Sequence, residues 1–273
     1  MEQFNRTVFV LLSLSTILLS PGCEKSEEDL PSLHYDSVFV ALYIDDAVWP
    51  NCKFYTELLL KRSGFSYGII NRDTIIQDKL ERYSVLLMPG GRPDLYADNL
   101  GHEGLQRIRS YVNRGGGFIG ICGGANLAVR HNIWWGWAGE PRVELAYDNE
   151  LDLLDAMADG PVEDFAPDYC EVKCRIKITD KLHPIAQGLP DTISYLYDHG
   201  PMFYNMHDES CRILGTSVNG NRNFIVCNEY GNGKVFLTSG HPEIDDSGLC
   251  LSMMRHALVW CTNQKASATL AGK

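Results

Sequence analysis

"GGGFIGICGGANLA", residues 115–128, is the stretch on which the fold turns. Glycines crowd both sides of one cysteine, Cys122. Before it runs the apolar segment "GFIGI", and after it comes "GGANLAVRH", with the look of a helix start. A sharp strand-to-helix turn needs small neighbours, because a Cβ beside the strained turning residue would clash. Such a turn lifts its residue above the carboxyl edge of the sheet, where open α/β sheets bind ligands. At a helix N-terminus it also favours thiolate. Two other readings stand beside this reactive-thiol reading: a phosphate cradle and a merely structural cysteine. The cradle has neither a GxGxxG nor a GK[ST] lysine to support it.

Outward from the cysteine, apolar runs alternate with amphipathic stretches. The pattern predicts strands over 37–44, 65–70, 84–91 and 117–121, and helices over 52–64, 74–83, 103–116 and from 123 to 131. That alternation implies βαβ units and a mostly parallel central sheet flanked by helices, a flavodoxin-like α/β fold. The second half reads as strand-rich: 142–147, 150–154, 170–178, 192–198, 212–218, 223–230 and 234–240, closed by a helix over 248–261. No repeat or low-complexity linker follows residue 36, so residues 37–263 are expected to form one domain, with 264–273 a tail.

Composition narrows the partners. A net charge of −11 argues against a nucleic-acid backbone, which needs a basic face. The first residues carry an apolar run from Val8 to Leu19, the length of a signal-peptide core and short for a membrane span. The run ends in "LLSPGC". This resembles a bacterial lipobox in which Cys23 would be lipidated, although Ser20 and Pro21 depart from its usual residues. The expectation is an exported envelope protein: residues 1–23 a signal, 24–36 a polar tether, and Cys23 a membrane anchor. An ordinary signal, giving a periplasmic or secreted protein, is the alternative.

There are nine cysteines. Cys170 and Cys174 in "CEVKC" lie too far apart on a strand to bond to each other, and their spacing is no metal signature. Buried free thiols are the expected state for most of the nine. No metal and no cofactor is expected.

A thiol nucleophile needs a base, and the base an orienting group. Of eight histidines, His241 stands out, in "LTSGHPEID" just past the apolar strand 234–238. Glu243, two residues on, can reach the far ring nitrogen. His183 reads as a turn residue and His256 as part of the last helix. His199 and His207 flank "GPMFYN", which could line a pocket. Oxyanion donors would come from the backbone of Gly123 and from the "PGG" turn, Pro89–Gly91.

"PGG", "GICGGA" (120–125) and "HPE" (241–243), in this order, resemble the class I glutamine amidotransferase-like superfamily. "LLMPGGRPDLYADNL", "YVNRGGGFIGICGGANLA", "ADGPV" (158–162) and "YDHGPMF" (197–203) are similar to the biotin–protein ligase N-terminal domain family, over about residues 37–262. The resemblance implies a Cys122–His241–Glu243 triad, an oxyanion hole at Gly91 and Gly123, and substrate contacts at Gly90, Arg92 and Asn126. Asp94 and the cluster Trp134, Trp135 and Trp137 are further candidates, the tryptophans forming either a pocket wall or a hydrophobic cap. Asn126 departs from the glutamine common at that position in glutamine-hydrolysing members. With no synthetase or ligase domain alongside, neither biosynthetic amidotransfer nor biotin ligation is expected. The expected activity is hydrolysis of an amide-type bond in a small-molecule or amide-bearing substrate. A non-catalytic binding module is the alternative. A DJ-1-like use of Asp45 or Asp46 beside the thiol is a third reading.

Overall fold

The computed structural model describes residues 39–134, 151–163, 165 and 171–262. The expected signal and tether, Cys23, the strand at 142–147, Trp135, Trp137, Cys170 and the tail lie outside the described residues.

The apolar runs become strands buried on both faces. β1 (Phe39–Tyr43), β3 (Val85–Met88) and β4 (Gly117–Ile121) carry almost no exposed residue. Such strands belong in the middle of a parallel sheet covered by helices. β2 (Ser66–Ile70) pairs with β1, and the parallel run is β2-β1-β3-β4-β12, with β12 spanning Gly233–Thr238. Alternate residues feed two separate cores. Val40, Leu42, Val85 and Leu87 pack with Leu59 and Leu60 of α1 (Pro50–Ser63) and with Met253, Met254 and Leu258 of α5 (Gly248–Cys261). Ala41, Tyr43, Leu86 and Met88 pack instead with Tyr96, Leu105, Ile108 and Val112 of α3 (Pro93–Asn113). The period-2 alternation of the strands thus builds three layers.

Beyond β12 the sheet turns antiparallel: β11 (Asn223–Tyr230), β10 (Arg212–Ser217), β7 (Val172–Ile178) and β8 (Thr192–Tyr197). β7 and β8 alternate buried and partly exposed residues, as a sheet with one wetter face should. A side arm of β5 (Val129–Trp134), β6 (Leu154–Gly160) and β9 (Met202–Tyr204) joins through β11.

Several sequence expectations need correction. The helix expected over 74–83 is α2 (Arg72–Ile76) followed by a 3-10 turn, Lys79–Arg82, with Asp78 between them at φ +55°. The helix expected from 103 begins at Pro93 and passes a non-helical Gly101 at φ +59°. The helix after Cys122, α4, covers only Gly123–Leu127, and the chain then enters β5, where the β-branched Val129 and Ile133 suit a strand. The strand expected at 150–154 starts at Leu154 instead. β9 went unread, being only three residues long.

Two histidines make this fold acid-sensitive. Burial holds both His183 and His256 below the usual imidazole value. They stay neutral in the fold but take protons in the unfolded chain below about pH 6.5. Their stabilising contribution is therefore complete above that pH and lost as pH falls through their folded values. Thermal melts from pH 7 to pH 5 are expected to show a declining midpoint, and a flatter decline in the double variant His183→Gln/His256→Gln.

Candidate active site

β4 ends at Ile121 and hands the chain to Cys122, which sits at φ +50° and ψ −109°. A non-glycine residue there stores strain of about 1–3 kcal/mol, so its surroundings must hold it. The Cys122 N–H donates to the Thr238 carbonyl at 2.9 Å, tying the elbow to the end of β12. The Cys122 carbonyl accepts from the N–H groups of Ala125 and Asn126, at 3.1 and 2.9 Å. Gly123 must be glycine, because a Cβ there would overlap the Gly91 carbonyl oxygen. The elbow thus rests directly on the "PGG" turn.

His241 enters from the end of β12. Its N–H donates to the Leu196 carbonyl at 2.7 Å, which fixes the backbone against β8. Its Nδ1 lies 2.8 Å from Glu243 Oε1. The side chains of both are buried, His241 to 1% exposure and Glu243 to none. Burial pulls the imidazole pKa down. Together the Glu243 charge, Cys122 and Cys52 outweigh it, and the ring is held well above the usual imidazole value. The protonated ring thus lies between the Glu243 carboxylate and the Cys122 side chain.

The far side of the ring meets a backbone atom. His241 Nε2 lies 3.3 Å from the Asp198 carbonyl oxygen, and Cys122 Sγ lies 3.3 Å from the same oxygen. The loop after β8 brings it there, with His199 at φ +60° beside it. His199 pairs with the Asp198 carboxylate, and its ring packs against Trp49 at 6.1 Å and Trp134 at 6.4 Å. Of the flanking histidines, His199 therefore does line the neighbourhood of the thiol.

The remaining expected residues divide. Gly90 is central: a Cβ there would lie 2.6 Å from His241 Cε1 and 3.4 Å from Cys122 Cβ. Asn126 is buried, and both its amide oxygen and its amide nitrogen lack a partner. Arg92 immediately precedes α3, and its half-exposed guanidinium forks onto Asp94. For the DJ-1-like reading, the structure gives Asp45 and Asp46 other partners. Asp45 is taken up by Tyr43, Asn99 and the Ala47 N–H, and Asp46 by Asn99.

Two participants were missed from the sequence. One is the Asp198 carbonyl, a backbone atom with no residue-type signal. The other is Cys52, in the first turn of α1. Its Sγ lies 3.8 Å from His241 Nδ1, across 189 residues of chain. Burial pushes the Cys52 thiol up to about 11, so it stays protonated at neutral pH. All seven cysteines among the described residues are free, and only Cys211 is not fully buried. Among the described residues no helix is long and apolar enough to cross a membrane.

Comparison with known proteins gives this arrangement a family context. The family described as "Biotin-protein ligase, N terminal" matches residues 53–267. An uncharacterized protein of Chlamydia muridarum is 27% identical over 218 residues, 75% of this chain and 80% of that protein. A ThuA-like protein from Bacteroides uniformis superposes with a TM-score of 0.53 at 14% identity, covering 82% of this chain and 91% of its own. A glutamine amidotransferase from Thermotoga maritima does so with a TM-score of 0.50 at 14% identity, covering 83% and 99%. At such identities the two structures testify to the fold alone.

Proposed function

The chain belongs to the biotin-protein ligase N-terminal family, and from that membership and the geometry of the site we propose that it is a cysteine-dependent hydrolase of an amide-type carbon–nitrogen bond. One observation carries the reading: the strained elbow at Cys122 faces an imidazole whose other side is fixed by a fully buried Glu243 at 2.8 Å. That is the nucleophile, base and orienting group of a triad.

Each residue then has a role. Cys122 Sγ attacks the carbonyl carbon. The backbone N–H groups of Gly91 and Gly123, residues packed so closely that a Cβ at Gly123 would overlap the Gly91 carbonyl oxygen, receive the developing oxyanion. His241 gives its proton to the departing nitrogen and then takes one from the water that releases the acyl group. Glu243 keeps Nδ1 occupied so that Nε2 does the proton transfer. The buried, unpartnered amide of Asn126 is the group a polar substrate would satisfy, since an unpaired buried amide is costly. Asn126 is shorter than the glutamine common at this position, which points away from glutamine itself as substrate.

Labelling with a thiol-directed acylating probe tests the reading. Wild type should acylate at Cys122. Cys122→Ala should lose that label, and His241→Ala should slow it by about 10²–10⁴-fold. Equal, slow labelling of wild type and His241→Ala would sink the triad.

The Asp198 carbonyl, 3.3 Å from both sulfur and ring nitrogen, favours a second reading, in which the site binds a ligand without turnover. Ligand-induced thermal stabilisation that survives Cys122→Ser, with no member of an amide library hydrolysed, would support that reading over the first.

A further inference from the structure

On the Nδ1 side of His241, next to Glu243, lies a second thiol that the triad leaves idle. We propose that Cys52, His241 Nδ1 and Glu243 form a site for one divalent cation of the Zn²⁺ class, and that its occupation silences Cys122.

The donor atoms are already gathered. Cys52 Sγ, a His241 ring nitrogen and a Glu243 carboxylate oxygen lie within 4.8 Å of one another, and all three residues are buried. Zinc holds sulfur at about 2.3 Å and nitrogen or oxygen at about 2.0–2.2 Å, which sets ligand atoms roughly 3.3–3.6 Å apart around a tetrahedron. The 3.8 Å from Cys52 Sγ to Nδ1 is close to that spacing. The 2.8 Å from Nδ1 to Glu243 Oε1 has to open by about half an ångström as the cation replaces the shared proton.

One feature points to a ligand and two others fit it. Glu243 Oε2 is buried without a hydrogen-bond partner, an unsatisfied acceptor on a side chain with no exposure. Position 90 is glycine, and a Cβ there would intrude to 2.7 Å from Cys52 Sγ and 2.6 Å from the ring. Finally, His241 Nε2 faces the Asp198 carbonyl at 3.3 Å. A metal-bound histidine commonly donates its other N–H to such an oxygen.

Charge balances as well. Before binding, the buried cluster holds a thiol, an imidazolium and a carboxylate, with no net charge. The cation displaces one proton from Cys52 Sγ and one from His241 Nδ1. The result is a thiolate, a neutral imidazole, a carboxylate and a 2+ ion, again with no net charge. Two protons are released, so affinity rises with pH. With Nδ1 on the metal the ring is neutral, its remaining proton on Nε2, and no imidazolium is left beside Cys122 to give its extra proton to a departing nitrogen.

Cobalt(II) titration of the full chain reads this directly. Wild type is expected to bind one Co²⁺ with a near-ultraviolet thiolate-to-cobalt band and the visible bands of tetrahedral cobalt, bleached by Zn²⁺. Cys52→Ser should lose the thiolate band and Cys122→Ser should keep it. The second outcome separates this site from the hydrolase reading, which needs Cys122. Absence of the band in wild type, its survival in Cys52→Ser, or its loss in Cys122→Ser would each overturn the proposal. Should Cys52→Ser not fold, Glu243→Gln serves in its place. It is expected to bind Co²⁺ at least tenfold more weakly, and unchanged affinity would overturn the proposal.

Discussion

Exchanging Glu243 for glutamine is expected to slow acylation of Cys122 by about 10⁴-fold, the scale seen when a triad's orienting carboxylate becomes an amide. The size follows from the geometry. Glu243 Oε1 sits 2.8 Å from His241 Nδ1, and neither side chain is more than 1% exposed, so water cannot take over the carboxylate's part. The same carboxylate is the leading influence that raises His241, acting against burial. An amide NH₂ turned toward Nδ1 would leave Nδ1 unprotonated and the ring neutral, so no imidazolium would stand ready to give its proton to the departing nitrogen. Glutamine nearly preserves the volume, so circular dichroism and the melting midpoint should change little while the labelling rate collapses. A rate within tenfold of wild type would show that Glu243 does not orient the base.

The second large effect is on folding. Gly200→Ala is expected to lower stability by about 3 kcal/mol or more, at the upper end of what overpacking a tight interior costs. A Cβ at Gly200 would overlap the Ser239 carbonyl oxygen and stand 2.7 Å from its carbonyl carbon. Both partners are backbone, so no side chain can swing aside. The contact joins the Asp198 loop to the end of β12, and it is reinforced by Tyr197, whose hydroxyl donates to the Gly200 carbonyl at 2.6 Å. Ser239 also donates to the Pro201 carbonyl. For a domain of this size the loss corresponds to a fall of roughly 6–12 °C in the melting midpoint. Gly248→Ala, at the start of α5 where a Cβ meets nothing within 4 Å, is the matched control and should stay within about 1 kcal/mol of wild type. Equal midpoints for the two variants would refute the close packing at Gly200.

The readable parts of the fold and site share a short range. The buried strands announced themselves as runs of Val, Leu and Ile. The elbow showed in its glycines, and His241 and Glu243 lie two residues apart in one "HPE". The misread segments are those where local pattern conflicts with pairing. "GGANLAVRH" reads as a helix start, yet its latter part is drawn into β5 by a partner strand, β6, that begins only at Leu154. The start of α3 was hidden by Gly101, which interrupts the helical φ/ψ inside a single element.

What the amino-acid sequence determined by itself is the alternation of strands and helices, the strained turn at Cys122 and the carboxylate fixed to its histidine. Each depends on residues within a few positions of one another, through hydrophobic periodicity, glycine's missing side chain and the reach of one side chain. What only the tertiary structure decided is which loops meet. The order β1-β3-β4-β12 puts the carboxyl ends of four strands side by side. Cys52 thereby reaches His241, and β8 adds the Asp198 carbonyl to the same spot. Neither contact leaves a trace in local spacing, because sheet order is set by the packing of the whole core and a backbone oxygen is common to every residue.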